Sequence, residues 1–506
     1  MTPLPSTTRF RGTAVTDRDT PDMAERALAP SRRDVLAGSA GFLAAVSGLS
    51  LLATGARAES APRPHIVYIV ADDLGFADVG FRGSDIRTPN LDALAAGGAT
   101  LSRFYTQPLC TPTRAALLTG RYPMRYGLQV GVIPSGSSYG LATDEFLLPQ
   151  ALKEVGYRTA LVGKWHLGHA DQKYWPRQRG FDYFYGPLVG EIDHFKHEAH
   201  GVTDWYRDNT LLKEEGYDTE LFGAEAVRQI SGHDPKTPLF LYLAFTAPHT
   251  PYQAPQSYLD QYAGIADPDR RTYAAMITAM DDQIGKVIAA LDARGLRENT
   301  LIVFHSDNGG TRNKMFTGES SVAGDLPPNN APLREGKGSI YEGGTRVVAL
   351  ANWPGRIQPG TSEGVMHVVD MLPTLAKLAG ARLDKSKPLD GTDVWPALAA
   401  GQPGRGEVVY NVEPTQGGVL EGDWKLVWHV VLPPKVELFN LADDPSESTD
   451  LSEAHPDKVA LLQRRVVDLA RTMAPPLFYT AALKATLSAP LSTPGEALYE
   501  MGLEND

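Results

Sequence analysis

Five short runs of mostly apolar residues, rich in β-branched side chains, constrain this chain more than any other feature. They are Ile66–Val70, Thr159–Val162, Leu239–Phe245, Leu301–Phe304 and Val347–Ala351. Helical patterns lie between them. The clearest runs through Tyr273, Met276, Ile277, Met280, Ile284, Val287, Ile288 and Leu291, three and four residues apart. Near-continuous apolar strands alternating with helices predict an α/β fold, a mostly parallel sheet covered on both faces. Asn90 reads as the cap of a helix that stops at Gly97-Gly98, and Thr143 as the cap of one holding Leu148, Leu152 and Val155.

The pattern changes near residue 400. Gly401-Gln402-Pro403-Gly404 reads as a linker. The runs Val408–Val412, Trp424–Val430 and Val436–Phe439 follow, then a helical face of Val459, Leu462, Val466 and Leu469. This predicts a small antiparallel sheet plus helix. The expected division is a catalytic α/β domain over 59–400 and a smaller α+β domain with a tail over 401–506.

Residues 1–58 read as an address. Arg32-Arg33 opens an uncharged stretch from Val35 to Ala56, closed by Ala56-Arg57-Ala58. That order is a twin-arginine signal with an apolar region and a cleavage site. A membrane anchor is the alternative, but Gly38, Ser39, Gly41, Ser47, Gly48 and Ser50 dilute the hydrophobicity. The expected route is the twin-arginine translocase, the expected destination the periplasm or the exterior, with no membrane attachment after cleavage.

Composition narrows the chemistry. A formal charge of −12 argues against a nucleic-acid surface, and a single cysteine excludes a disulfide scaffold or a Cys-ligated zinc site. Four strands end in reactive groups: Asp72-Asp73, Lys164-Trp165-His166, His249 after Pro248, and Asp307-Asn308. Ligands bind beyond the carboxyl ends of strands in open parallel sheets, so these groups are expected to converge. Asp72, Asp73, Asp307 and Asn308 offer only oxygen, which selects Ca²⁺ or Mg²⁺ over zinc. Three close carboxylates would repel without a divalent ion between them. Lys164, Lys337 and Arg114 would then leave the site positive and suited to an anion. Cys110 precedes Thr111, a candidate helix cap, and Pro112, which places its side chain at a helix N-terminus.

Cys110-Thr111-Pro112-Thr113-Arg114, followed by Leu118-Thr119-Gly120-Arg121, resembles the modification motif of type I sulfatases. The resemblance extends from Ile66 to Leu451. It includes Ala71-Asp72-Asp73-Leu74-Gly75, Gly163-Lys164-Trp165-His166-Leu167-Gly168, Asp307-Asn308-Gly309-Gly310, Gly336-Lys337-Gly338, Glu342–Arg346 and Leu438-Phe439-Asn440-Leu441. Two stretches, Gly83–Leu94 and Tyr105–Cys110, resemble arylsulfatase B-like members, the N-acetylgalactosamine-4-sulfatases. The resemblance implies an alkaline-phosphatase-like fold and hydrolysis of aryl or sugar sulfate monoesters. It implies that a formylglycine-generating enzyme oxidises Cys110 to formylglycine (3-oxoalanine), whose gem-diol is the nucleophile. One Ca²⁺, with Mg²⁺ as the second choice, would be held by Asp72, Asp73, Asp307 and Asn308 and touched by residue 110. Arg114, His166 and His249 would be catalytic, and Lys164, His249 and Lys337 would bind the sulfate. His305 is expected to pack at its strand end or to support the site from behind.

Residues 311–336, rich in Gly, Pro and Asn, read as a rim over the pocket, and Asp193–Glu198 as a second rim or a plain surface loop. Two rivals remain at this point. One is a phosphomonoesterase or phosphonate hydrolase of the same fold; the other is a non-catalytic binder of sulfated glycans.

Overall fold

The central strand, β1 (His65–Ala71), shows why the apolar runs are continuous. Ile66, Tyr68 and Val70 enter one apolar cluster, while Val67, Ile69 and Ala71 enter another on the opposite face. All seven residues of β1 are buried. A strand covered on both sides has no position left for an alternating polar residue.

The computed structural model describes residues 63–316, 325–431 and 433–488. The proposed signal over 1–58 lies outside the described residues, as does the part of the 311–336 rim from 317 to 324. Among the described residues no helix is long and apolar enough to cross a membrane.

β2 (Arg158–Gly163), β3 (Leu239–Ala244) and β4 (Thr300–Ser306) complete the parallel centre of the sheet. Their order is β4-β1-β3-β2, with Ile66 opposite both Phe240 and Leu301. Beyond β4 the strand Ala349–Asn352 runs antiparallel, and beyond β2 the strand Tyr183–Gly186 runs parallel. Ten strands form the sheet in all among the described residues. It is an alkaline-phosphatase-like α/β architecture.

The helix Pro268–Ala293 buries Tyr273, Met276, Ile277, Met280, Ile284, Val287 and Leu291, as its periodicity predicts. Asp267 caps it by accepting from the amides of Asp269 and Arg270. Other caps differ from expectation. Asn90 lies inside the helix Pro89–Ala96, and its side chain donates to Asp281. The helix carrying Leu148 begins after Leu147, not at Thr143, and Gln150 accepts from the Leu147 amide.

The C-terminal sheet has four antiparallel strands, Glu407–Val412, Gln416–Glu421, Trp424–His429 and Lys435–Asn440, packed under the helix Pro456–Ala470. The second strand gives little sequence signal because it opens Gln-Gly-Gly. Gly417 is there for closeness: a Cβ would stand 2.5 Å from Val466 Cγ1. Val409, Val412, Val419, Leu426 and Leu438 join the same apolar cluster as Ile66 and Tyr68.

A buried ionic knot fastens this sheet to the Glu342-Gly343-Gly344 turn. Lys425 Nζ is 3.0 Å from Glu342 and 2.7 Å from Glu447, and 3.8 Å above the Tyr410 ring. The hydroxyls of Tyr105 and Tyr410 donate to Glu342 at 3.0 and 2.7 Å. Burial pushes the Glu447 carboxyl up to about 7, against the pull of Lys425. Removing one member of a buried ion pair leaves the other charges unmatched, so Lys425→Met is expected to cost about 3–5 kcal/mol. The urea midpoint of the variant checks this; an unchanged midpoint would show that the knot contributes nothing.

Candidate active site

The carboxyl ends of β1 to β4 converge, and hydrogen bonds continue past the strands to lock the loops. The Phe245 amide donates to Val70 O, Asp72 to Ala247 O, Lys164 to Ala244 O and Asp307 to Ala71 O, at 2.8–3.1 Å. Side chains on these loops therefore share the rigidity of the sheet. Asp73 and His166 both adopt positive φ, 64° and 57°. Non-glycine residues held there cost about 1–3 kcal/mol each and collect at functional sites.

Helix α1 (Cys110–Thr119) delivers the cysteine. Cys110 is its first residue, after the extended Leu109, and all ten residues of α1 are buried. Thr111 is not the cap. Its hydroxyl donates to His166 O at 3.0 Å and accepts from the Ile133 amide, tying α1 to the β2 loop. Cys110 Sγ lies 3.4 Å from Asp72 Oδ1. Burial first, then Asp307, pushes the thiol well above its usual range. An unmodified Cys110 is thus a neutral thiol and a poor nucleophile.

Each of three buried carboxylates has its own cation. Lys164 Nζ donates to Asp72 at 2.5 Å, Lys337 Nζ to Asp73 at 2.8 Å, and Arg114 Nε and Nη2 to Asp307 Oδ2 at 3.1 and 2.8 Å. Arg114 also lies 3.7 Å from Asp72. Burial works against the Asp73 charge, but Lys337, helped by the hydrogen bond from Asn308, holds its carboxyl below the usual range. Asp307 moves the other way: burial and Asp72 raise it despite Arg114.

His249 and Lys337 form a pair. His249 Nδ1 is 2.6 Å from Thr250 O, which makes it the N–H, so Nε2 accepts from Lys337 Nζ at 3.0 Å. Burial, then Lys337, pushes the imidazole down to about 3, so it is neutral. Lys337 is held above its usual range by Asp73 despite burial. The proton of the pair therefore sits on Lys337. His166 is oriented by Nε2 donating to Ile133 O at 3.2 Å, and its Nδ1 is buried without a partner.

The structure thus brings together every residue singled out above: Asp72, Asp73, Cys110, Arg114, Lys164, His166, His249, Asp307, Asn308 and Lys337. His305 belongs to the packing. It accepts from Tyr68 OH at 2.9 Å and lies against Phe104. Thr311 was not anticipated; its hydroxyl donates to Asp73 Oδ2 at 2.8 Å. A hydroxyl directly after the Gly309-Gly310 pair was its only signal. In the Asp193–Glu198 turn, His194 and His197 are buried.

The donor set fits a divalent cation. Ligand atoms of Asp72, Asp73, Cys110 and His249 lie within 4.8 Å of one another. Asn308 Nδ2 donates to Asp73 at 2.7 Å, which leaves its Oδ1 buried and without a partner. An orphaned carbonyl oxygen beside carboxylates is what a hard cation satisfies. Asp307 would enter such a site with both oxygens already engaged, one by Arg114 and one by the Asp73 amide at 3.3 Å. The three carboxylates and three cations are formally neutral together, so a dication would leave the pocket positive.

This geometry has counterparts. The family model described as Sulfatase matches residues 64–381. Mouse arylsulfatase J is 36% identical over 475 residues, covering 82% of this chain and 77% of its own. Human arylsulfatase A is 37% identical over 374 residues, covering 69% and 70%. The crystal structure of Ps i-CgsB in complex with k-i-k-neocarrahexaose has a TM-score of 0.74 at 35% identity, covering 82% of this chain and 94% of that one. The chain belongs to the sulfatase family and is a sulfuric ester hydrolase.

If Asn308 Oδ1 is a metal ligand, Asn308→Ala should weaken divalent-cation binding by about tenfold or more. Titration calorimetry on the metal-stripped protein reads this directly, and equal affinity in the variant would remove Asn308 from the ligand set.

Proposed function

We propose that the chain hydrolyses aryl or sugar sulfate monoesters to an alcohol and inorganic sulfate, using formylglycine at position 110 beside one Ca²⁺. The observation that carries this is the placement of Cys110 within 3.4 Å of Asp72, ringed by the cations that compensate the carboxylates. When present, the hydrated aldehyde at 110 supplies a hydroxyl nucleophile, and the cation supplies Lewis acidity.

The chain's own residues do the rest. Lys164, Lys337 and Arg114 present positive charge to an anionic ester, and His249 lines the same pocket. Lys337 carries the proton shared with His249, so it is the group that protonates a departing alkoxide. A phenolate leaves with less need of that proton. His166 Nδ1 has a free lone pair and is the acceptor for a proton lost from position 110. Near-complete burial of these groups removes competing water and strengthens each electrostatic contact.

The likeness to arylsulfatase B-like members rests on Gly83–Leu94 and Tyr105–Cys110. Most of Gly83–Leu94 is scaffold: Leu91 and Leu94 pack in the core and Asn90 binds Asp281. Scaffold of this kind says little about the sugar. The proposed route outward rests on Arg32-Arg33 and Ala56-Arg57-Ala58, and the proposed activity on a formylglycine-generating enzyme that oxidises Cys110.

Mass spectrometry of the peptide carrying residue 110 should show an aldehyde or its hydrate in active protein. An intact thiol in fully active enzyme would defeat the mechanism, whereas an intact thiol in protein without turnover would favour a non-catalytic binder's pocket. Cys110→Ala should abolish turnover while the protein stays folded. Replacing Arg32 and Arg33 together with Lys should leave unprocessed precursor in the cytoplasm, whereas normal export of that variant, seen by fractionation, would overturn the twin-arginine route.

A further inference from the structure

His194 is 1% exposed and makes two short polar contacts, neither of them to Asp72, Asp73, Asp307 or Cys110. Its Nδ1 is 2.8 Å from Asp218 Oδ2, and its Nε2 is 3.1 Å from the main-chain carbonyl of His249. Asp218 also accepts from the Thr246 hydroxyl at 2.5 Å and from the Thr219 amide and hydroxyl at 2.5 and 3.1 Å. The His249 carbonyl can only accept, so the Nε2 of His194 is a donor.

The His194 main chain is anchored as firmly. Its amide donates to Gln253 Oε1 at 2.8 Å, its carbonyl accepts from the Asp218 amide at 2.9 Å, and Gln253 Nε2 donates to Asp193 at 2.9 Å. The turn 193–198 and the start of the helix Asp218–Ser231 thus grip the segment 246–253 from one side. The His249 side chain leaves that segment on the other side, towards Lys337 and Asp73.

We propose that His194 is a positioning residue. Its Nε2–H, anchored through Asp218, holds the His249 carbonyl and so sets where the His249 ring meets Lys337. This rests on the role proposed above for His249. A shift of the ring by about 1 Å can cost a hundredfold in rate, so a remote hydrogen bond suffices to matter.

Two variants separate the two contacts. A Gln amide reaches the place of Nε2 and keeps the bond to the His249 carbonyl; an Asn amide reaches only the place of Nδ1 and keeps the bond to Asp218. With p-nitrophenyl sulfate, His194→Asn should lower kcat by about 10- to 100-fold with little change in KM, and His194→Gln should stay within about threefold. Both should lose thermal stability alike, since each loses one buried hydrogen bond. Asp218→Asn, which preserves shape and leaves Nε2–H aimed at the carbonyl, should also stay within about threefold and does not depend on the other variants folding. The proposal is overturned if the two His194 variants lose activity equally, if neither loses any, or if Asp218→Asn falls as far as His194→Asn. Loss of turnover in His249→Ala is measured first, so a failure of the role given to His249 is distinguishable from a failure of the clamp.

Discussion

The pairing of three buried carboxylates with three buried cations is the interaction on which this structure turns. Asp72, Asp73 and Asp307 lie together, each matched by Lys164, Lys337 or Arg114. Uncompensated, such a cluster would cost several kcal/mol per ion to bury. The paired charges come from five different parts of the chain, the ends of β1, β2 and β4 with helix α1 and the turn before Ser339. Folding the sheet and assembling the site are therefore one event. The same balance sets the chemistry: a neutral cluster that gains a dication becomes a trap for a sulfate ester.

Much of this was legible in the residues. Strands buried on both faces print their position as continuous apolar runs, so β1 to β4 were found within a residue or two at most ends. The reactive groups stand at the first positions after those runs, where topology dictates convergence. Single features were less readable. Thr111 has the look of a cap, but its hydroxyl serves the β2 loop, which only the packing of α1 decides. The strand Gln416–Glu421 hides behind Gly417, whose purpose is the approach of Val466. His194 and Lys425 were out of reach because their partners, His249 with Asp218 and Glu342 with Glu447, are brought to them by tertiary structure. A lone buried histidine has no local signature for the carbonyl it holds.

The surrounding core lets the site be strained. Asp73 and His166 stay at positive φ because the amides around them are tied to neighbouring strand ends. Gly309 belongs to the same economy of space: a Cβ there would collide with the Gly343 carbonyl. The Gly343-Gly344 turn can lie against the Asp307-Asn308 loop only because that side chain is missing. Through Glu342 the same turn reaches the Lys425 knot, so the C-terminal sheet is joined to the back of the site by a continuous run of packed and hydrogen-bonded groups.

Helix α1 carries a consequence for the order of events in the life of the protein. Cys110 is 1% exposed, and every neighbour in its helix is buried. The oxidising enzyme proposed above could not reach this thiol in the finished fold. On that proposal the oxidation comes before α1 docks against the sheet. Under the twin-arginine route proposed above, which moves folded cargo, that window closes in the cytoplasm. Maturation then becomes a race on the ribosome's side of the membrane: a chain that folds too soon is exported intact, correctly shaped and permanently silent.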